Sequence, residues 1–323
     1  MCTAITYKTK DLYFGRTLDL EYHYSESVTV TPRRYSFDFG ACGRMDSHYA
    51  IVGIATVADG YPLYYDAINE MGLGAAGLAF WHSAEYHPSR PEKDNIASYE
   101  VIPWILSQCA SVSEARELVG RLNITDRAFS DELPPSPLHW MIADRNESIV
   151  IESTAEGIKL YDDPVGVLTN EPSFDFHMMN LNNYINLTSC EPTNRFIPSL
   201  PLRAYSRGMG AIGLPGDCSS QSRFVRAVFT KMNSVSGDSE DESLSQFFHI
   251  LGSVGQVRGC VRVGEKLERT VYTSCANADK GIYYYTTYEN SRIVGVDMYR
   301  EDLNGARLSS YPLKYNNDVK FVN

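Results

Sequence analysis

The chain has 323 residues, 43% of them hydrophobic and 21% charged, an ordinary globular mixture with enough apolar matter for a sizeable core. Its 40 acidic against 29 basic residues give a net charge of −11, which repels phosphate backbones and anionic lipid and argues against nucleic acid as a partner. No apolar run approaches the roughly 20 residues that cross a bilayer, and no basic start leads into an apolar stretch, so a soluble, cytoplasmic protein without a membrane partner is predicted.

In chain order, short alternating or β-branched runs at 3–7, 27–31, 49–57 and 63–68 predict strands, with turn residues such as Asp59-Gly60 between them. A helical pattern follows over 96–110, and Ser111-x-x-Glu114 reads as a capping box for a second helix ending near 122. Strands return at 138–142, 148–151 and 166–168, followed by helices near 174–187, 221–233 and 240–251. The aromatic strands 270–273 and 282–286 close the chain. Each sheet has a face to bury and the helices have apolar faces to cover it, so the pattern predicts an α+β fold, a four-layer αββα sandwich. Pro134-Pro135-Ser136-Pro137 is too short for a flexible linker and reads as a stiff surface loop, so residues 1–323 are expected to form one domain.

The seven cysteines, at 2, 42, 109, 190, 218, 260 and 275, contain no C-x-x-C pair and suggest neither a zinc ribbon nor a disulfide framework. Most read as reduced core residues. Cys2 differs, because a small second residue lets the initiator Met1 be removed, leaving a thiol and a free amine on one residue. An α-amine titrates at about 7.7–8.0, so near neutral pH part of it is free base and able to take the thiol proton. A hairpin pairing 2–7 with 12–18 across a turn at 9–11 returns Arg16 and Asp19 to that terminus. There Arg16 is placed to stabilise a thiolate and Asp19 to accept a hydrogen bond from the amine. Taken singly these features are weak. A cysteine after the start codon is usually an accident of position, and an Arg and an Asp three apart are usually a surface pair.

Several separated motifs in fixed order carry more. The start Met1-Cys2-Thr3, then Gly15-Arg16-x-Leu18-Asp19, Leu168-Thr169-Asn170-x-Pro172-x-Phe174-Asp175 and Gly213-Leu214-Pro215-Gly216-Asp217-x-x-Ser220-x-Ser222-Arg223-Phe224 together resemble the choloylglycine hydrolase family of N-terminal nucleophile hydrolases. The likeness runs the whole chain and is greatest to the bacterial bile salt hydrolases, with the penicillin V acylases as a sister group. It implies that Cys2 attacks an amide carbonyl with support from Arg16 and Asp19, that Asn170 stabilises the oxyanion, and that Arg223 completes the charged cluster. It also implies glycine- or taurine-conjugated bile salts as substrate, no metal or cofactor, and a homotetramer. Leu18, Leu20, Tyr61 and Phe129 are expected against the steroid. One position departs from the pattern: Gly77-Leu78-Ala79-Phe80 has Ala79 where bile salt hydrolases usually carry Asn and penicillin V acylases Tyr, so a side-chain oxyanion donor is missing, and Trp81 beside it is also unexpected. Hydrolysis of penicillin V or another N-acyl amide, or a catalytically impaired bile-acid-binding homologue, therefore stay open as alternatives.

Gly72-x-Gly74-x-x-Gly77 fits a dinucleotide fingerprint, but Leu78-Ala79-Phe80-Trp81 reads as a strand where that fingerprint needs a helix. The seven histidines form no H-E-x-x-H and read as packed or solvated residues.

Overall fold

In the computed structural model, which describes residues 1–317 and 319–323, two antiparallel sheets are stacked face to face between two layers of helices. The first sheet runs Val167–Leu168, Cys2–Lys8, Leu12–Leu20, Lys266–Asn277, Ile282–Thr287, Val294–Asp297, with Val261–Val263 beside Lys266–Asn277. The second runs Gly157–Asp162, Ser148–Thr154, Leu138–Ala143, Gly74–Ala79, Tyr61–Asn69, Ile51–Ala58, Ser27–Thr31, Ser309–Pro312. Helices α1 (Val101–Gln108) and α2 (Val112–Arg121) cover the second sheet. Following α3 (Phe174–Asn180), helices α4 (Ser220–Asn233) and α5 (Glu240–Gly252) cover the first.

Both sheets bury both faces, which explains why some strands lack an apolar–polar alternation. Val150 joins the core between the sheets while Ile149 and Ile151 join the one beneath α1 and α2. A period of two with two apolar faces gives a continuous apolar run. Gly15 marks a close strand approach: a Cβ there would lie 2.2 Å from the Ser274 carbonyl oxygen. Asp59 and Gly60, at φ 49° and 78°, make the two-residue left-handed turn that joins Ile51–Ala58 to Tyr61–Asn69.

The αββα sandwich and the N-terminal hairpin agree with the sequence reading, and three boundaries differ. The helix expected from 96 begins only at Val101, after the strand Asp94–Ala97 and a 3-10 turn. Pro103 has no N–H and is accommodated only in a first turn, and the Glu100 carboxylate caps backward onto Ala97 N at 2.7 Å. The helix expected over 174–187 stops at Asn180 and continues as a 3-10 turn, Leu181–Tyr184. The chain does not close at 286, because Val294–Asp297 extends the first sheet and Ser309–Pro312 crosses to the edge of the second. No described helix is long and apolar enough to cross a membrane.

Candidate active site

Strand pairing assembles the site. Cys2 lies opposite Leu18 and Ala4 opposite Arg16, and on the other side Ala4 lies opposite Leu168, which carries Asn170 alongside Cys2. Directly opposed residues of an antiparallel pair share a face, so Cys2, Leu18 and Arg16 look toward the second sheet, while Thr3, Thr17 and Asp19 look toward α4 and α5. The two cations thus reach the nucleophile from opposite sides.

On the helix side, fully buried Arg223 donates to the carbonyl oxygen of Cys2 at 2.5 Å, to Thr3 Oγ1 at 2.7 Å and to Asn170 Oδ1 at 2.6 Å. The same Oδ1 accepts the Cys2 N–H at 2.8 Å, and Asn170 Nδ2 donates to the carbonyl oxygen of Ala79, also at 2.8 Å. Cys2, Ala79, Asn170 and Arg223 are therefore one hydrogen-bonded unit. Burial pushes the Arg223 guanidinium down from its usual value, against the pull of Asp19, Cys2 and Glu268.

The start of α4 explains the sequence motif that carries Arg223. Asp217 accepts Ser219 N–H at 2.9 Å and Ser222 Oγ–H at 2.6 Å, and these hydrogen bonds hold its carboxyl well below the usual range. Ser219 caps the helix by accepting from Ser222 N, and Ser220 Oγ accepts Asn170 N–H at 2.8 Å. Arg223 follows one turn in, aimed at Cys2.

On the inter-sheet side, fully buried Arg16 donates to the carbonyl oxygens of Thr17 and Tyr65, each at 3.2 Å, and of Gly77. Its second terminal nitrogen has no protein partner. Burial acts to lower its pKa, but the Cys2 thiol, Tyr272, Asp66 and Asp19 together raise it, so the charge is secure.

Asp19 sits differently from expectation. Register puts it opposite Met1, so its main-chain carbonyl accepts the Met1 ammonium at 2.6 Å and its N–H donates to Met1 O at 2.9 Å. Its carboxylate instead accepts from Thr270 Oγ1 at 2.6 Å and Thr17 Oγ1 at 3.1 Å. The amine of Met1 is also bound at 2.6 Å by Glu268, whose carboxyl burial pushes up against that ion pair. While Met1 is attached, the Cys2 nitrogen is an amide and faces Asn170.

Leu18 is buried beside Cys2 and Leu20 packs half-buried on the same core, whereas Tyr61 belongs to the core under α1 and meets Phe129 and Tyr99 with ring centroids 5.9 Å away from each. The structure thus places Leu18 opposite Cys2 and Leu20 two residues further along the same strand, whereas Tyr61 lies on the other side of the second sheet. Ala79 is held by its carbonyl, and Trp81, 60% exposed, follows on a turn whose His82 and Ser83 N–H groups bond Glu171, next to Asn170. The glycines of the dinucleotide-like motif lead into the central strand Gly74–Ala79, not a helix.

Two buried histidines that sequence reasoning left as packing residues clamp the Asn170 segment. His139 stacks on Phe80 with centroids 4.5 Å apart and bonds the Thr169 carbonyl at 3.0 Å. His177, pushed down to about 4 by burial, stays neutral at physiological pH and donates from Nε2 to the Asn170 carbonyl at 2.8 Å. Its position seven residues after Asn170, on α3, was the available signal. A cavity of about 600 Å³, lined by Thr6, Lys8, Arg145 and Lys231 among others, opens at the far end of the Cys2–Lys8 strand and is not this site. Among the described residues, no group of three or more His, Cys, Asp or Glu side chains is placed to hold a metal.

Comparison with known proteins accords with this geometry. The family model for linear amide C–N hydrolases of the choloylglycine hydrolase family matches residues 2–311. The chain is 53% identical to a bile salt hydrolase/transferase of Lactiplantibacillus plantarum, over 97% of each chain. It is 40% identical to one of Clostridium perfringens, over 98% of this chain and 97% of the relative. It superposes on the crystal structure of the C2A mutant of conjugated bile acid hydrolase from Clostridium perfringens with a TM-score of 0.93 at 38% identity, covering both chains fully. A penicillin V acylase from Agrobacterium tumefaciens shares the fold, with a TM-score of 0.76 at 18% identity over 96% of this chain and 90% of that one.

Proposed function

Since the chain belongs to the choloylglycine hydrolase family of linear amide C–N hydrolases, we propose that it cleaves glycine- or taurine-conjugated bile acids through a thioester on Cys2. The observation that carries the reading is the shared acceptor: Asn170 Oδ1 takes both the Cys2 nitrogen at 2.8 Å and Arg223 at 2.6 Å, which fixes that nitrogen beside its own thiol. Once Met1 is removed the nitrogen is an amine. It takes the thiol proton, the sulfur adds to the amide carbon, and the C–N bond breaks as the leaving amine accepts that proton. Water then frees the acyl group by the same steps in reverse order. The free terminal nitrogen of Arg16 supports the thiolate, Asn170 Nδ2 supports the oxyanion, and Asp19 fixes the strand ends with Thr17 and Thr270. Leu18 and Leu20 lie on the thiol's face and suit an apolar acyl group.

Assays of glycocholate, taurocholate and penicillin V in parallel test the reading. Release of glycine or taurine is expected, and turnover of penicillin V alone overturns it. At Ala79, Ala79→Asn restores a donor beside Asn170 and is expected to raise kcat about tenfold to a hundredfold with little change in KM, read from initial rates. An unchanged kcat would mean that the site already supplies that donor.

Residues 1–323 act in this reading as one domain, since the core around Cys2 draws on both ends of the chain. The seven free thiols suit the reducing cytoplasm. The irregular excursion over residues 185–212 exposes Ile185, Phe196, Leu202, Tyr205 and Ile212, with Phe196 86% and Tyr205 88% exposed. Such a surface suits burial against further copies in a homotetramer. Light scattering should then give close to four times the 36.2 kDa chain mass, and a monomer overturns the assembly.

A further inference from the structure

Asp66 lies in the middle of Tyr61–Asn69, fully buried between the sheets. Three hydroxyls of the first sheet converge on its carboxylate: Tyr272 at 2.7 Å, Ser274 at 2.8 Å, and Tyr283. Each donates one proton. The Ser274 oxygen also accepts the main-chain N–H of Arg16 at 3.0 Å, and of the two acceptors its proton faces, Asp66 at 2.8 Å is nearer than the Arg16 carbonyl oxygen at 3.4 Å. Burial pushes the Asp66 carboxyl up from its usual value, and the Arg16 charge and the three donors pull against it toward the ionised form. The strands flanking Asp66 in its own sheet, Ile51–Ala58 and Gly74–Ala79, carry no ionisable side chain. The charged and titratable groups that face it come from the first sheet: Arg16, Tyr272 and Tyr283.

Arg16, for its part, spends its hydrogen bonds on carbonyl oxygens, including that of Tyr65, the neighbour of Asp66. Its charge is therefore shared through space among Cys2, Asp66 and Asp19. We propose that Asp66, with Tyr272, Ser274 and Tyr283, is a positioning residue that fixes Arg16 through Ser274 and Tyr65 and offsets part of the charge that Arg16 presents to the Cys2 thiolate. The inference rests on reading Arg16 as the thiolate's cation. In this arrangement the carboxylate tempers the thiol and keeps its guanidinium from turning elsewhere.

The test is the pH dependence of Cys2 alkylation by iodoacetamide in protein shown by intact mass to lack Met1. Asp66→Asn removes the offsetting charge, so the alkylation midpoint should fall by about one pH unit, while Arg16→Gln should raise it. Tyr283→Phe keeps the carboxylate but removes a donor that holds it ionised, and should shift the midpoint in the same sense as Asp66→Asn by less. That variant also carries the test should Asp66→Asn fail to fold. A midpoint that rises in Arg16→Gln but stays unmoved in the Asp66 and Tyr283 variants overturns the proposal. If Arg16→Gln leaves it unmoved, the role assigned to Arg16 falls instead. A purely structural Asp66 would lower the melting temperature without moving the midpoint.

Discussion

Replacing Cys2 by alanine is expected to abolish release of glycine from glycocholate, with kcat lower by about 10⁴-fold or more, because the nucleophile is lost and only binding and oxyanion stabilisation remain. Removing one sulfur from a residue that is 3% exposed leaves the Asn170 and Arg223 hydrogen bonds intact, since those use the main chain of Cys2. The melting temperature should therefore barely move. Activity within tenfold of the parent, measured on protein with matched secondary structure, would refute the thioester mechanism. A chain retaining Met1 should be equally inert, since its Cys2 nitrogen is an amide.

Asn170→Ala comes next in size. One substitution takes away the acceptor shared by Cys2 and Arg223 and the donor that reaches Ala79 and, in the reaction, the oxyanion. A drop in kcat of about 10²- to 10³-fold is expected from the lost donor alone. Stability should fall by about 1–3 kcal/mol, because the Arg223 nitrogen and the Ala79 carbonyl are left buried without a partner. Asn170→Asp separates the two effects: it keeps both acceptor bonds but has no amide donor, so kcat should fall as far while urea unfolding shows a smaller loss. Equal stability loss in both variants would count against Oδ1 as the fixing atom.

How much of this was legible in the sequence follows from the range of the interactions. The hairpin from Cys2 to Leu20 and the start of α2 are local, set by a short turn and the cap at Ser111, and they were readable; α4 and α5 were readable from their periodicity, while their caps Ser219 and Ser239 emerge only in the structure. The motifs resembling the family named Cys2, Arg16, Asn170 and Arg223, and the fold brings all four together. The partners of those residues were not readable, because their contacts join strands far apart in the chain: Asp66 with Tyr272 and Ser274, Glu268 with the amine of Met1, and His139 with the Thr169 carbonyl. An aspartate inside the otherwise apolar Tyr64-Tyr65-Asp66-Ala67-Ile68 was the one local sign that a buried polar network waited there. Asp19 returns beside the N-terminus as the hairpin implies, while the partners of its carboxylate, Thr17 and Thr270, were not readable for another reason. Its three-residue spacing from Arg16 reads as proximity along the chain, yet the alternation of a strand turns the two side chains to opposite faces.

That alternation carries a constraint of its own. The short link between the paired strands, where Thr9 N–H bonds the Asp11 carbonyl at 3.0 Å, decides which residue meets which across the hairpin. One residue more or fewer there would slide one strand past the other by a single step and invert every side chain on it. The sulfur would then look into the helices and the guanidinium would lose it. Thr9 and Asp11 in that link are tied to Ser243 and Asn277 by their side chains, and the number of residues between the strands is locked by the alternation itself.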